Sequence, residues 1–250
     1  MNKDRFAIII PVYNHEQRAA YVIREALVLG FPVFVIDDGS TDSSYETIKD
    51  IPGITLIRHE INRGKGAAIK TGFAAASRVA DWAITMDADG QHDPRNAMNL
   101  INAIPSSPLQ NRLRPIVIGV RDNMTADDVP WTSRFGRGFS NFWVWVSGGP
   151  RVRDSQSGFR IYPLPECGLL NVKADRFQFE VELLAKAGWT EMPVIEAQVS
   201  VSYTPGTARI SHFRPFIDFM RNTGAFLRLI FQRILIPPYI RKKLTYKNAG

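Results

Sequence analysis

Trp82–Pro94 reads WAITMDADGQHDP. The run Trp82–Met86 is short, continuous and apolar, as a strand buried on both faces would be. Directly after it come Asp87, Asp89, His92 and Asp93. Acidic side chains are poor strand formers and repel one another. Crowding them at a strand end makes either a polar turn or a place that binds something positive. Magnesium and manganese take one or two protein carboxylates and complete their shells with phosphate oxygens and water. Asp87-Ala88-Asp89 at a strand end supplies such a partial shell and leaves positions open for a diphosphate. His92, taken alone, reads as a loop histidine and not as a ligand.

Working outward, the first 120 residues alternate regularly. Phe6–Ile10, Val33–Asp37, Ile54–Arg58, Trp82–Met86 and Pro115–Val120 read as buried strands. Glu16–Leu29, Thr41–Ile51, Lys65–Val79 and Pro94–Ile104 read as the helices between them, with Gly30 as a C-cap and Ser40 or Thr41 as an N-cap. This pattern predicts a doubly wound α/β sheet, whose ligands bind beyond the carboxyl ends of the strands. PVYNH (11–15), DDGSTD (37–42) and DADGQHD (87–93) all fall at such ends. Beyond Arg121 the pattern loosens. RFGRGFSNFWVWVSG (134–148) reads as an aromatic-rich helix, SGFRIYP (157–163) as a strand, FQFEVELLAKAG (177–188) as a helix and MPVIEAQVSVSY (192–203) as an edge strand.

The 250 residues, 45% hydrophobic, suffice for one large domain with an appendage. One cysteine, Cys167, allows no intramolecular disulfide and fits a reducing compartment. No secretory signal and no spanning helix is read, so a cytoplasmic protein is expected. The charge is uneven. Arg209–Gly250 holds nine Lys or Arg against Asp218, which is +8, so the +7 chain has a body of −1.

Dinucleotide and P-loop readings lose support: G-x-G-x-x-G is absent after the first strand and no G-x-x-x-x-G-K-[ST] occurs. Gly64, Gly66 and Gly72 would serve a helix entry. Asp37 at a strand end can accept hydrogen bonds from a base or ribose, although a D-G pair there also makes an ordinary turn.

Four motifs, IIIPVYN (8–14), VIDDGSTD (35–42), NRGKGAAIKTGF (62–73) and DADGQHDP (87–94), together resemble the family 2 glycosyltransferases, in order and spacing. The resemblance is strong over the first 120 residues. It continues more weakly through SRFGRGFSN (133–141), DSQSGFRIYP (154–163) and FEVELLAKA (179–187) to about Pro215, where it is to polyprenyl- and dolichyl-phosphate sugar synthases. It implies a GT-A fold: a Rossmann-like mixed sheet flanked by helices. It divides the chain into a transferase domain over 1–212 (nucleotide-sugar half 1–120, acceptor half 121–212) and a basic amphipathic tail over 213–250.

The resemblance further implies that Pro11, Tyr13, Asp37, Lys65, Asp87 and Arg209 bind the nucleotide sugar, and that Asp89, with Asp87 and Gln91, holds Mn²⁺ or Mg²⁺. Arg121, Arg134 and Ser140 would receive a lipid phosphate. His15 stands where the family often has Glu, Asp93 replaces the proline of the common QHP, and the synthases' multi-span membrane domain is missing. Transfer would be a single inverting displacement. A lipid phosphate is already anionic and needs no strong base; a hydroxyl acceptor, on a glycan or hydroxylated lipid, would need Glu180 or Asp154. A non-catalytic sugar-nucleotide sensor is the non-enzyme alternative. Basic residues set among large aliphatics speak against nucleic acid.

In the tail, Phe216, Phe219, Met220, Thr223, Phe226, Leu227, Ile230, Phe231 and Ile234 recur at helical spacing, with Arg214, Arg221 and Arg228 to one side. This predicts a helix lying on an anionic membrane surface. Alternatively the stripe packs on the chain's own sheet or pairs with a second copy. The loop TPGTARISHF (204–213) is expected to close over the donor diphosphate.

Overall fold

The structure, a computed structural model, describes residues 5–106, 113–121, 131–200 and 215–246, with side chains from 136 onward in the helix at 131–146 and from 223 onward in the helix at 215–235. Arg209 and the expected diphosphate loop lie outside the described residues, as does the side chain of Arg134.

Seven strands form one sheet: β1 (Phe6–Val12), β2 (Val33–Asp37), β3 (Ile54–Arg58), β4 (Trp82–Thr85), β5 (Ile116–Arg121), β6 (Arg160–Pro163) and β7 (Val194–Val199), in the order β3-β2-β1-β4-β6-β5-β7. The helices are α1 (Ala19–Leu27), α2 (Ser44–Ile48), α3 (Lys65–Ala76), α4 (Ala97–Asn102), α5 (Trp131–Val146), α6 (Glu166–Leu169), α7 (Gln178–Trp189), α8 (Pro215–Leu235) and α9 (Pro238–Thr245). A single 3-10 turn, Pro94–Asn96, precedes α4. Every strand pair is parallel except those of β6, which runs antiparallel to both β4 and β5. The sheet is therefore mixed, as expected. Because β6 is reversed, its beginning lies at the edge where the parallel strands end. Thr85 of β4 sits opposite Arg160 of β6.

The apolar strand runs follow from burial on both faces. Ala7 and Ile9 enter one cluster, with Ala68, Ile69 and Phe73 of α3 and Phe179, Leu183 and Leu184 of α7. Ile8, Ile10 and Val12 enter the other, with Val22, Ile23 and Ala26 of α1 and Leu100 of α4. Among the described residues β7 is an edge strand, paired only with β5.

Several helices are shorter than the patterning predicts, for local reasons. α1 starts at Ala19 because His15–Arg18 form a turn; it ends before Gly30, whose N–H donates to Leu27 O at 3.1 Å and whose φ of 75° turns the chain away from the helix. α2 covers only Ser44–Ile48. Ser40 and Thr41 do not cap it; they bond to the loop after β1 (Asn14 N–H to Ser40 Oγ 3.1 Å, Thr41 N–H to Asn14 Oδ1 2.8 Å). The tail helix α8 packs on α7 and α5. Phe226 is buried beside Phe139 and Trp143, and Arg228 pairs with Glu182, which is buried and also accepts the N–H groups of Lys173 and Ala174 at 3.0 Å. The stripe thus divides: Phe226 faces the body, as does Leu229 beside it, while Leu227, Phe231 and Ile234 face outward; the side chains of Phe216, Phe219 and Met220 lie outside the described residues. No described helix is long and apolar enough to cross a membrane.

Candidate active site

The polar loops gather along the edge where β1, β2, β4 and β5 end and β6 begins. The first two are stitched together. Asn14, at φ 54°, turns its amide onto the loop after β2, and His15 N–H donates to Ser44 Oγ at 2.7 Å. Pro11 and Tyr13 lie half-buried on this floor.

The two aspartates after β2 differ. Asp37 is fully buried; Oδ1 accepts from Ser40 N–H at 3.2 Å, and Oδ2 lies 3.0 Å from Arg58 Nε in an ion pair whose angle is too oblique for a hydrogen bond. Arg58 stacks 3.9 Å from the Tyr45 ring centroid. Asp38 holds the next loop: its oxygens accept from Arg63 N–H (3.0 Å) and Gly64 N–H (2.7 Å) and meet His59 Nδ1 at 2.6 Å. That grip sets the start of α3. Gly66 there lies so close to α7 that a Cβ would stand 2.6 Å from Phe179 Cβ.

Lys65, first residue of α3, is the centre of a buried charged cluster. Its Nζ lies 2.7 Å from Asp87 Oδ1 and 2.9 Å from Glu180 Oε1. Burial works against the ammonium, but the two carboxylates more than offset it and hold its pKa above the ordinary lysine value. Burial likewise works against charge on Asp87, and Lys65 outweighs it, so Asp87 stays ionised below the usual range. Asp87 rests on bare backbone. A Cβ on Gly158 would stand 2.6 Å from Asp87 Oδ1 and closer still to Oδ2. Thr85 Oγ1 donates to Gly158 O at 2.7 Å and locks that approach. Gly158 is a site residue that sequence reasoning missed; its only signal was membership of the SGFR run.

Asp89 and Gln91 are half-buried on the same turn, where Gln91 N–H donates to Asp89 Oδ1 at 3.0 Å. Among the described residues no three His, Cys, Asp or Glu side chains gather into a metal cage. The donors here are all oxygens, from Asp87, Asp89 and the Gln91 amide. They fit a hard cation that draws the rest of its shell from a diphosphate and water. His92, expected to be an ordinary loop histidine, is buried beside Phe159, ring centroids 5.2 Å apart, with Nδ1 lacking a partner. Burial depresses its pKa to about 4, so it is neutral near pH 7.

Farther along the edge, Arg121 ends β5 and meets the fully buried Asp154 in a two-point pair, Nε to Oδ2 2.7 Å and Nη2 to Oδ1 3.0 Å. Ser140 is buried on α5 and accepts from Ser155 Oγ at 2.8 Å, so it braces the loop after Asp154 instead of facing solvent. The structure therefore brings together Lys65, Asp87 and Glu180 on one side and Arg121, Asp154 and Ser140 on the other, with the 154–158 loop between.

Residues 7–143 match the model of glycosyl transferase family 2. The chain is 30% identical over 210 residues to an uncharacterised protein of Methanocaldococcus jannaschii, covering 82% of this chain and 84% of that one. It is 28% identical over 219 residues to the UDP-N-acetylglucosamine–dolichyl-phosphate N-acetylglucosaminyltransferase of Methanococcus voltae, covering 79% and 85%. Among solved structures it resembles glucosyl-3-phosphoglycerate synthase from Mycobacterium tuberculosis, crystallised with Mn²⁺, UDP-glucose and phosphoglyceric acid. The TM-score is 0.68 at 18% identity, over 94% of this chain and 81% of that one.

Proposed function

We propose, from the premise that this chain belongs to glycosyl transferase family 2, that it moves a sugar from a nucleoside diphosphate to the phosphate of a membrane lipid with the help of a divalent cation. The observation that carries this reading is the state of the two candidate bases. A hydroxyl acceptor needs a carboxylate to take its proton as the bond forms. Glu180 spends Oε1 on Lys65 at 2.9 Å, and Asp154 spends both oxygens on Arg121. Both carboxylates already serve as ion-pair partners of a cation, which speaks against either as base or covalent nucleophile and supports a single inverting displacement. A lipid phosphate arrives already anionic and needs a positioned cation instead. The archaeal relative named for dolichyl phosphate supports that acceptor class.

Each side chain then has a role. Pro11 and Tyr13 would line the nucleoside floor, with the buried Asp37 beside them beneath Arg58, and Arg209 would contact the diphosphate. Lys65 holds Asp87 in place. Asp89, with Gln91 and Asp87, would hold Mn²⁺ or Mg²⁺, which when bound acts as a Lewis acid on the departing diphosphate. Arg121, aimed by Asp154 and aided by Arg134, meets the acceptor phosphate, while Ser140 braces the loop between them.

The outward faces of α8 and α9 expose Phe231, Ile234, Leu235 and Tyr239, and α5 adds Phe142 and Trp145. Lys242 and Lys243 add positive charge in the last turn of α9, where Lys242 meets Glu191 at 3.2 Å. Such a surface suits the headgroup boundary of anionic lipid and would hold the site beside its acceptor. In the test, labelled UDP- and GDP-hexoses are incubated with Mn²⁺ and either a short polyprenyl phosphate or the matching polyprenol. Label entering the organic phase only with the phosphate is expected. Transfer to the alcohol alone would overturn the acceptor assignment.

A further inference from the structure

Arg160 is buried to 0% exposure on β6, flanked in register by Thr85 and Ile118. A guanidinium cannot shed its charge in a protein, and burying one without a counter-ion is costly. Yet no carboxylate pairs with Arg160 among the described residues. Its partners are two backbone carbonyls, Ser157 O from Nε at 2.6 Å and Ser155 O from Nη2 at 2.7 Å, and Nη1 has none. The strand on either side of it is apolar, with Phe159 and Ile161 buried in the core.

What the charge does hold is the 154–158 loop. The far end of that loop is secured independently: Gly119 N–H donates to Phe159 O at 2.9 Å, and Thr85 Oγ1 donates to Gly158 O. The near end carries Asp154, which aims Arg121, and depends on side chains. Those are the Ser155 hydroxyl on Ser140, Asn141 Oδ1 accepting Ser155 N–H at 2.9 Å, and the Arg160 clamp.

We infer that Arg160 is a positioning residue of the acceptor site. From beneath the loop it fixes Ser155 and Ser157, and so Asp154, in the one arrangement that presents Arg121 to the acceptor's phosphate. This rests on the reading of Arg121 as the acceptor's anion contact. The donor side, set by Lys65, Asp87 and Glu180, meets this loop only at Gly158, whose carbonyl Thr85 holds without the clamp.

Steady-state transfer from a UDP-hexose to a short polyprenyl phosphate, with Mn²⁺–UDP affinity measured by calorimetry, tests it. Arg160→Met keeps the bulk and removes both donated bonds. It is expected to raise the acceptor KM about tenfold or more while UDP affinity stays within about twofold. Arg160→Lys, able to reach one carbonyl, should fall between, and it carries the test if the Met variant does not fold. Arg121→Gln should raise the acceptor KM by itself, and adding Arg160→Met to it should make little further difference. If Arg121→Gln leaves the acceptor KM alone, the parent reading of Arg121 fails and this inference with it. If Arg121→Gln raises it but Arg160→Met does not, or if Arg160→Met lowers UDP affinity and acceptor affinity alike, the positioning role is wrong while the parent reading stands.

Discussion

Gly158→Ala adds one methyl group where the structure has no room for it. The position has no left-handed backbone angle, so the penalty is steric alone. The new carbon would stand 2.6 Å from Asp87 Oδ1 and 2.7 Å from Cγ, whereas ordinary contact begins near 3.4 Å. The neighbours must part by close to 1 Å, and β6 cannot supply the movement, because Thr85 Oγ1 holds Gly158 O and Gly119 N–H holds Phe159 O. Asp87 must therefore move, and with it the 2.7 Å contact to Lys65. A displacement of about 1 Å in a group that orients the donor costs on the order of a hundredfold in rate. Initial rates of sugar transfer, compared with a thermal melt, would measure this. Gly168→Ala, where a Cβ meets nothing within 4 Å, is the control and should leave transfer unchanged. Full activity in Gly158→Ala would refute the claim that Asp87 works from this shelf.

Asp89→Asn keeps the shape and loses the charge; transfer should fall by at least about a hundredfold and Mn²⁺ should no longer raise the melting temperature in the presence of UDP. A metal response equal to that of the parent chain would remove Asp89 as a ligand. His92 is held neutral down to about pH 4 by burial, below its ordinary value near 6.5. Between those values the unfolded chain takes up a proton that the folded chain refuses, so stability falls as pH drops through this window, by up to about 3 kcal/mol. Urea melts at pH 7.5 and 5 should show the loss and His92→Gln should shrink it; the depressed carboxylates titrate lower and do not share the window. On the tail, Phe231→Ser with Ile234→Ser should abolish flotation with anionic vesicles and leave the melt within about 0.5 kcal/mol. Phe226→Ala, 2% exposed, should instead destabilise by about 3–5 kcal/mol. Undiminished flotation of the double variant, or its conversion from dimer to monomer without any vesicle effect, would move that face from membrane to self-pairing.

Much of this fold is legible because parallel strands buried on both faces leave uninterrupted apolar runs. Phe6, Val33, Ile54 and Trp82 open strands where the pattern places them, and MPVIEAQVSVSY does hold an edge strand, over Val194–Val199. Helix ends were less legible. Ser40 and Thr41 look like caps, but their partners are 26 and 27 residues away on the Asn14 loop, and no local rule reports such a pairing. The site divides in the same way. A D-x-D after an apolar strand carries its own signal. The pairings of Asp154 with Arg121 and of Glu180 with Lys65 carry none, because they arise from the sheet order that sets reversed β6 between β4 and β5. The burial of His92 carries no signal in a polar turn either, because it comes from Phe159, the residue just before β6, laid against the ring.

The same pairings explain why a near-neutral body buries so many charges along one edge. Lys65 ties α3 to the turn after β4 and to the first turn of α7, Arg121 ties β5 to the loop before β6, and Arg228 ties α8 to Glu182 of α7. Apolar pairs of similar size would hold these elements with equal or greater stability. They would tolerate sliding by a fraction of an ångström, which a two-point ion pair such as Arg121–Asp154 resists by its geometry. The proposed reaction, which brings a diphosphate and a second phosphate together, would depend on where cations stand, so the residues that fix those cations would themselves be charged. On that argument the pairs fix geometry more than they add stability. Exchanging Arg121 and Asp154 for each other should then preserve the melt better than it preserves transfer, and a variant with both unchanged would show that the orientation of the pair is immaterial.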